Sequence, residues 1–360
     1  QSKKDKAVKK QVRTLLETMS VRDKVAQLVF VDVYPGGDSA LQAKADSIVA
    51  KEQVGGIILM EGNIDQTAET CNRLQNLVKI PLAVTIDGEF GLGMRVSEFR
   101  KYPRQGALAK LPDEGLMYEM GRQIARDMHS MKIDVNFAPV VDVNLHPDVN
   151  TIKDRSFGPD KELVADYGSA VMRGMQDGGV VACAKHFPGH GDTEVDSHKA
   201  LPVLKLIKDG VKMVMVGHLL VPALDTLPAS VSKVVVTDLL RKKMKFKGLT
   251  ITDALGMEGV LEPFGGSSAK ATLAAYEAGV DILLMPDEVS ESIDLIVDYV
   301  GSDRKKLKNL DERVSRVLTL KGECGKLVKT NDLKVDPAAV DTKATDSLIS
   351  TIEKALVVEE

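Results

Sequence analysis

Aromatic residues are scarce in this 360-residue chain: they make up 4% of it, and tryptophan is absent. A surface on which nucleobases or sugars stack needs such rings, so polar side chains must provide most contacts to any sugar. The three cysteines, Cys71, Cys183 and Cys324, are too few, and odd in number, for a disulfide framework. Cys183 lies in the apolar run 180–184 and is expected to be a core residue.

Long apolar runs and an excess of positive charge are also missing. No stretch reaches the roughly 18 apolar residues of a helix that spans a bilayer. A formal net charge of −4 provides no basic field to favour nucleic acid or a membrane surface as partner. The chain opens on Gln1 rather than methionine, which we interpret as a mature or trimmed form, so that a periplasmic or exported location is favoured over the cytoplasm.

Short apolar runs rich in β-branched residues recur along the chain, as is typical of parallel strands covered on both faces. They predict strands at 27–33, 54–60, 82–87, 133–141, 180–185, 213–218, 249–253 and 281–285. Between them, apolar residues at three- and four-residue spacing predict helices at 66–78, 114–131, 161–176 and 268–278. Ser20 and Asp23 resemble a capping box before the first strand.

Strands that alternate with helices in this way predict an α/β fold, a TIM-type (β/α)8 barrel. A doubly wound sheet is the alternative, but no Gly-x-Gly-x-x-Gly follows the first strand. We assign the barrel to residues 1–326 and expect 327–360 to form a linker and a helix at 346–356. One interpretation of this segment is the start of a truncated second domain. After Pro202 only 203–210 remains for a crossover helix, so either that helix is reduced or residues are missing.

Polar side chains follow five of the predicted strands at the point where each strand ends, which is where such barrels carry their chemistry. Solvated loop charges would account for one or two of them but not for all five. In chain order they are Asp87, Asp142 with Asn144, Lys185 with His186, His218, and Asp253.

The segment 185–198 is the densest in polar groups, and its glycines and proline predict a shaped loop. In an extended stretch Asp196 and His198 lie on one side, where the carboxylate would orient the imidazole for general acid/base catalysis. A metal site is the alternative, with His186, His190, Asp192 and His198 as ligands. Pro188 and Gly189 keep the first two of these off a common helical face, and we expect neither metal nor cofactor.

Asp253 ends the apolar strand 249–253. One interpretation is an N-cap for the next helix. The other is the nucleophile of a retaining glycosidase, which needs an attacking carboxylate and a proton donor about 5 Å apart. Asp253 and His198 are candidates for these two roles.

The string KHFPGHGDT at 185–193, closed by DSH at 196–198, resembles the signature of glycoside hydrolase family 3, in its bacterial β-N-acetylglucosaminidase branch. DGEFG at 87–91, Arg95, DRSFG at 154–158, PAS at 228–230 and ITDAL at 251–255 resemble further motifs of that family. The resemblance implies that Asp253 is the nucleophile and that His198, oriented by Asp196, is the acid/base. It implies that the substrate-binding residues are Asp87, Arg95, Arg155, Lys185, His186 and His218.

The function that the resemblance implies is retaining exo-hydrolysis of terminal β-linked GlcNAc from peptidoglycan fragments or related oligosaccharides, so the expected partner is a carbohydrate. Two alternatives stay open: a phosphorylase that uses phosphate as acceptor, and a non-catalytic glycan-binding module. The loop reads DGEFG where many members carry a second glycine in place of Phe90, which bears on substrate preference.

Overall fold

The computed structural model describes residues 3–112, 114–145, 152–189 and 201–358. In these residues eight parallel strands form one sheet in the order β7-β6-β5-β4-β3-β2-β1-β8. The strands are β1 Val29–Val33, β2 Gly56–Leu59, β3 Ala83–Ile86, β4 Val135–Asn136, β5 Val181–Phe187, β6 Met213–Val216, β7 Leu249–Thr252 and β8 Leu283–Leu284.

The sheet curls into a nearly closed barrel. Its first strand pairs with its last, Val29 opposite Leu283, and a bridge between Ile251 and Ile282 joins β7 to the segment that leads into β8. Nearly every strand residue is buried, because side chains fill the barrel on one face and helices cover the other. The predicted (β/α)8 barrel is confirmed, and the doubly wound alternative is wrong.

Helices surround the sheet. They are α1 Lys3–Thr18, α2 Val21–Ala26, α3 Ser39–Glu52, α4 Ile64–Leu77, α5 Gln105–Leu108, α6 Glu114–Ser130, α7 Lys161–Asp177, α8 Leu201–Lys208, α9 Glu258–Leu261, α10 Ser268–Ala278, α11 Val289–Val300, α12 Arg304–Glu323 and α13 Lys343–Val358. A further helix with wide, π-type turns, Val234–Lys243, links β6 to β7. The capping box expected at Ser20 and Asp23 is present at the start of α2. The crossover after Pro202 is the reduced helix α8, with eight residues.

The strand predicted at 133–141 is much shorter than expected, because only Val135 and Asn136 pair in the regular ladder. Beyond Asn136 the pairing with β5 is irregular: the carbonyls of Ala138 and Pro139 accept from Cys183 and Lys185, but Pro139 has no N–H to donate in return, and the next bridge joins Val140 to Lys185. The early end of β4 brings the segment that carries Asp142 alongside β5, where the Val141 N–H donates to the Lys185 carbonyl at 2.7 Å.

The helix predicted at 346–356 is present as α13, and it packs against α6. Ile349 and Ile352 are fully buried in the hydrophobic core. Arg100 donates from Nη2 to both carboxylate oxygens of Glu353 at 3.0 Å. The assignment of 327–360 to the start of a second domain stays a prediction. Among the described residues, no helix combines the length and apolarity needed to cross a membrane.

Candidate active site

The predicted site residues within the described ranges lie at the carboxyl end of the barrel. Asp87 directly follows β3, Lys185 and His186 lie in β5, and Asp253 directly follows β7. Since parallel strands all end at the same rim, these side chains meet although they are far apart in sequence.

Lys185 forms ion pairs with two carboxylates. Its Nζ lies 3.0 Å from Oδ1 of Asp87 and 2.7 Å from Oε1 of Glu89, and its side chain is 4% exposed. Burial opposes the charged form, but Asp87 and Glu89 outweigh it and raise the pKa of Lys185 above its ordinary value. Lys185 therefore places a fully protonated ammonium group in the floor of the site.

Glu89 joins Arg155 to the same network. The Arg155 guanidinium donates from Nε to Oε2 at 2.9 Å and from Nη2 to Oε1 at 2.7 Å, which is a bidentate pair. Burial opposes ionisation of Glu89, yet Lys185 and Arg155 hold the pKa of this carboxyl well below its usual range. No role was predicted for Glu89 from the sequence, although it lies in the DGEFG motif, two residues after Asp87.

Arg95 completes the cluster. Its Nη2 donates to Oδ2 of Asp87 at 3.2 Å, and its Nη1 pairs with the more exposed Glu61. The two oxygens of Asp87 are thus held by Lys185 on one side and Arg95 on the other. Four predicted substrate-binding residues, Asp87, Arg95, Arg155 and Lys185, belong to one charged network.

His186 lies between two carboxylates. Its Nδ1 donates to Oδ2 of Asp142 at 2.7 Å, and its backbone N–H donates to the same oxygen at 3.2 Å. Its Nε2 lies 3.9 Å from Oδ2 of Asp253. Asp142 was recognised as a polar strand-end residue but received no role, and the structure identifies it as the group that orients His186.

Asp253 is held rigidly at the end of β7. Its N–H donates to the Val216 carbonyl at 3.0 Å, and its Oδ1 accepts from the Ala254 N–H at 2.8 Å. Burial opposes ionisation, but interactions with His186, with His218 and with the Ala254 amide lower the pKa of Asp253 below its ordinary value. Its side chain is 24% exposed, so an ionised carboxylate faces the mouth of the barrel.

His218 is hydrogen-bonded within the protein at both ring nitrogens. Nε2 lies 2.7 Å from the Ala254 carbonyl, which only accepts, so Nε2 carries the proton. Nδ1 lies 2.6 Å from Oγ of Ser230 and accepts from that hydroxyl. Burial lowers the pKa of His218, in agreement with a neutral ring. The binding role predicted for His218 stays a prediction.

Asp196 and His198 lie outside the described residues, as do His190 and Asp192 of the metal alternative. Their roles stay predictions. Cys183 is fully buried and burial raises the pKa of its thiol, so it is the core residue that the sequence predicts.

A barrel with an ionised carboxylate at the end of β7, beside charged groups that suit hydroxyl binding, agrees with a glycoside hydrolase. The model of the glycosyl hydrolase family 3 N-terminal domain matches residues 20–320. The chain belongs to glycosyl hydrolase family 3, and it is a glycoside hydrolase, as the sequence predicts.

Similar proteins agree with this family. The chain is 34% identical to the β-hexosaminidase LpqI of Mycobacterium tuberculosis over 86% of its own length and 85% of the relative. It is 30% identical to β-hexosaminidase A of Pseudoalteromonas piscicida over 80% of its length, but the match spans only 57% of that relative. A family 3 β-N-acetylglucosaminidase from Paenibacillus sp. superposes with a TM-score of 0.81 at 30% identity, covering 94% of this chain and 68% of that one. The predicted resemblance to the β-N-acetylhexosaminidase branch is confirmed.

Proposed function

We propose that this chain is a retaining exo-β-N-acetylglucosaminidase that works through a covalent glycosyl–Asp253 intermediate. The observation that carries the proposal is the Asp253 carboxylate, ionised, partly exposed at the end of β7, and 3.9 Å from His186. A nucleophile needs to be charged, fixed and accessible, and Asp253 has all three properties.

The network around Lys185 supports sugar binding. Asp87, Arg155 and Lys185 present charged donors and acceptors whose positions are fixed by ion pairs, Lys185 with Asp87 and Glu89, and Arg155 with Glu89. Such groups bind hydroxyls without the aromatic surface that this sequence lacks. The relatives named β-hexosaminidase and β-N-acetylglucosaminidase support a terminal GlcNAc as the sugar.

The reaction takes two steps. The Asp253 carboxylate attacks C1 of the sugar, the bond from C1 to the glycosidic oxygen breaks, and a proton from His198 passes to the leaving oxygen. Water then attacks C1, gives its proton back to His198, and the bond between C1 and Asp253 breaks. Asp196 orients the His198 ring in both steps.

His218 and Ser230 position the nucleophile. The Ser230 hydroxyl donates to His218, His218 donates to the Ala254 carbonyl, and the amide of the same residue donates to Asp253. This chain of hydrogen bonds fixes the Asp253–Ala254 peptide, so His218 acts on the reaction through Asp253.

The test is release of p-nitrophenol from its β-GlcNAc glycoside. Asp253→Ala is expected to abolish turnover while its melting temperature stays near that of the parent. The same assay with and without phosphate, read for GlcNAc and GlcNAc-1-phosphate, distinguishes hydrolysis from phosphorolysis. Full turnover by a folded Asp253→Ala protein would overturn the proposal, and binding of GlcNAc without turnover by the parent would indicate a binding module.

Leaving-group dependence tests His198. A dinitrophenolate leaves without protonation, whereas a sugar alkoxide does not. We expect His198→Ala to lose most activity on chitobiose and on disaccharides from peptidoglycan but to retain much of it on dinitrophenyl β-GlcNAc. An equal loss on both kinds of substrate would contradict a proton-donor role. Relative rates of the parent on the two disaccharides also test peptidoglycan fragments as the substrate.

A further inference from the structure

A cavity of about 620 Å³ lies on the outside of the barrel between the wide-turn helix Val234–Lys243, α10, α11 and α12. Its volume falls in the range of about 300–1,000 Å³ that small-molecule sites occupy. Phe246 and Gly279, which line it, precede β7 and β8 respectively. The cavity is therefore near the amino ends of these strands, at the opposite end of the barrel from Asp253. We refer to it as the cationic cleft.

Basic side chains dominate its lining. There are four lysines, Lys233, Lys247, Lys305 and Lys306, and three arginines, Arg241, Arg313 and Arg316. Glu277 is the acidic residue of the lining, and the buried Asp281 pairs with Arg241 and Arg316. Asp303 adds a third carboxylate beside Lys305 and Lys306, so seven cations against three carboxylates leave four positive charges in excess, in a chain whose overall charge is −4.

Three of the cations are held in place by aromatic rings. Nζ of Lys306 lies 3.6 Å from the ring centre of Tyr299, and Cζ of Arg313 lies 4.1 Å from that of Tyr276. Cζ of Arg241 lies 5.3 Å from the ring of Phe246. These contacts restrict flexible side chains before any ligand arrives, so less conformational entropy is lost on binding.

Arg313 lies at the floor of the cleft and is 6% exposed. It forms no ion pair with a described carboxylate, because the nearby Asp281 pairs with Arg241 and Arg316, and its Nη1 donates to the carbonyls of Tyr276 and Val280 at 2.6 and 3.0 Å. Burial lowers the pKa of Arg313 by more than Asp281 and Tyr276 raise it, so part of the cost of burying the charge is left, and a bound anion would offset it. The Tyr276 hydroxyl is also buried, and no described residue bonds to it.

The first turn of α12 contributes two lysines to the cleft. Lys305 and Lys306 lie at the amino end of the helix, where the helix dipole disfavours cations. The capping residue Asp303 accepts from the backbone N–H groups of both lysines and offsets part of this. Both lysines line the cleft: Lys306 is held there by the ring and the carbonyl of Tyr299, whereas the Lys305 side chain forms no hydrogen bond or ion pair with a described residue.

We propose that the cationic cleft binds a ligand through a phosphate group. Guanidinium forks match phosphate oxygens in pairs, and lysines add charge at longer reach. The ligand is either a soluble phosphorylated compound or the headgroup of an anionic lipid, and the phosphate chemistry is common to both.

The test is calorimetric titration of the protein with inorganic pyrophosphate at fixed ionic strength, with saturating GlcNAc present to occupy the barrel mouth. The cleft variant is Lys233→Gln, Lys247→Gln and Lys305→Gln together. These side chains form no hydrogen bond or ion pair with another described residue, so the fold is expected to survive. The control variant is Lys243→Gln, Lys270→Gln and Lys308→Gln, which removes the same charge from exposed positions outside the cleft, on the three helices Val234–Lys243, α10 and α12 that border it.

Pyrophosphate binding is expected to weaken at least tenfold in the cleft variant and less than twofold in the control. Flotation with vesicles that contain phosphatidylglycerol, against vesicles of phosphatidylcholine alone, distinguishes the two sources. Binding of pyrophosphate alone supports a soluble ligand, and binding of the phosphatidylglycerol vesicles supports a headgroup. Binding of neither probe, or equal weakening in the two variants, would overturn the proposal. None of these outcomes depends on whether the enzyme hydrolyses GlcNAc.

Discussion

Nε2 of His186 faces Oδ2 of Asp253 across 3.9 Å, while Nδ1 of the same ring is held by Asp142 at 2.7 Å. The imidazole is therefore oriented by one carboxylate and directed at the other. We expect a substrate hydroxyl that contacts both His186 and Asp253 to meet a ring whose tautomer and angle are already fixed.

Asp142→Asn tests this orientation. An amide accepts a weaker hydrogen bond from Nδ1, so the ring loses part of its alignment. We expect kcat for p-nitrophenyl β-GlcNAc to fall by roughly 10- to 100-fold, the usual effect of losing an orienting partner, with a smaller change in KM. Unchanged kinetics with His186 intact would show that the Asp142 contact has no role in catalysis.

Glu89→Gln tests the charged network. Lys185 and Arg155 would lose the buried carboxylate that pairs with both of them, although Lys185 keeps its pair with Asp87. Breaking a buried pair in this way costs about 3–5 kcal/mol of unfolding free energy. Glu61→Gln is the matched control, because Glu61 also pairs with an arginine of the site but is 66% exposed. Its loss is expected to cost under about 1 kcal/mol. Equal costs in urea denaturation would contradict the network as described.

The acid limb of kcat/KM tests the charge on Asp253. Because its pKa lies below the ordinary value of about 4, the nucleophile stays ionised as the pH falls to that value. We expect kcat/KM to lose no activity through protonation of Asp253 above about pH 4.5. The expectation would be contradicted if the acid limb of kcat/KM had an apparent pKa above about 5 in the parent and that pKa changed in Asp253→Glu.

Asp127 predicts a pH dependence in the docking of α13. It accepts from Thr345 at 2.7 Å and from Gln123 at 2.8 Å, and burial raises its pKa to about 6. The folded protein therefore keeps a proton that the unfolded chain releases above about pH 4. This contribution to stability is complete below about pH 4 and is lost as the pH rises through about 6, by about 3 kcal/mol.

The measurement compares urea denaturation of the parent and Asp127→Asn at several pH values between 4 and 7.5. The difference between the two isolates Asp127 from the other titrating groups. Stability of the parent is expected to fall relative to the variant as the pH rises. A difference that stays constant across this range would show that Asp127 keeps its ordinary pKa.

The eight strands could be predicted because burial on both faces imposes continuous apolar runs, and that pattern is visible in the sequence. The strand at 133–141 was overextended, because the run of apolar residues does not reveal that Pro139 interrupts the ladder. The helix Val234–Lys243 was missed for a similar reason. Its Val-Val-Val-Thr start favours a strand locally, and only packing on the barrel makes it helical.

The candidate site could be predicted in part. Asp87, Lys185, His186 and Asp253 were found because each ends a strand, and strand ends converge. Glu89 was not predicted as a site residue, because its partners Arg155 and Lys185 lie 66 and 96 positions away in the sequence. No local sequence pattern indicates that this carboxylate is buried. The cationic cleft could not be predicted, because the net charge of the whole chain does not reveal a local cluster of basic side chains.

The most direct test of the central claim is mass spectrometry of the protein after reaction with a 5-fluoro-GlcNAc glycosyl fluoride, which slows breakdown of a glycosyl-enzyme. We predict one added sugar mass on the peptide that contains Asp253, and no adduct in Asp253→Ala. A sugar on another residue, or turnover of the reagent by the parent with no covalent adduct at any time point, would contradict Asp253 as the nucleophile.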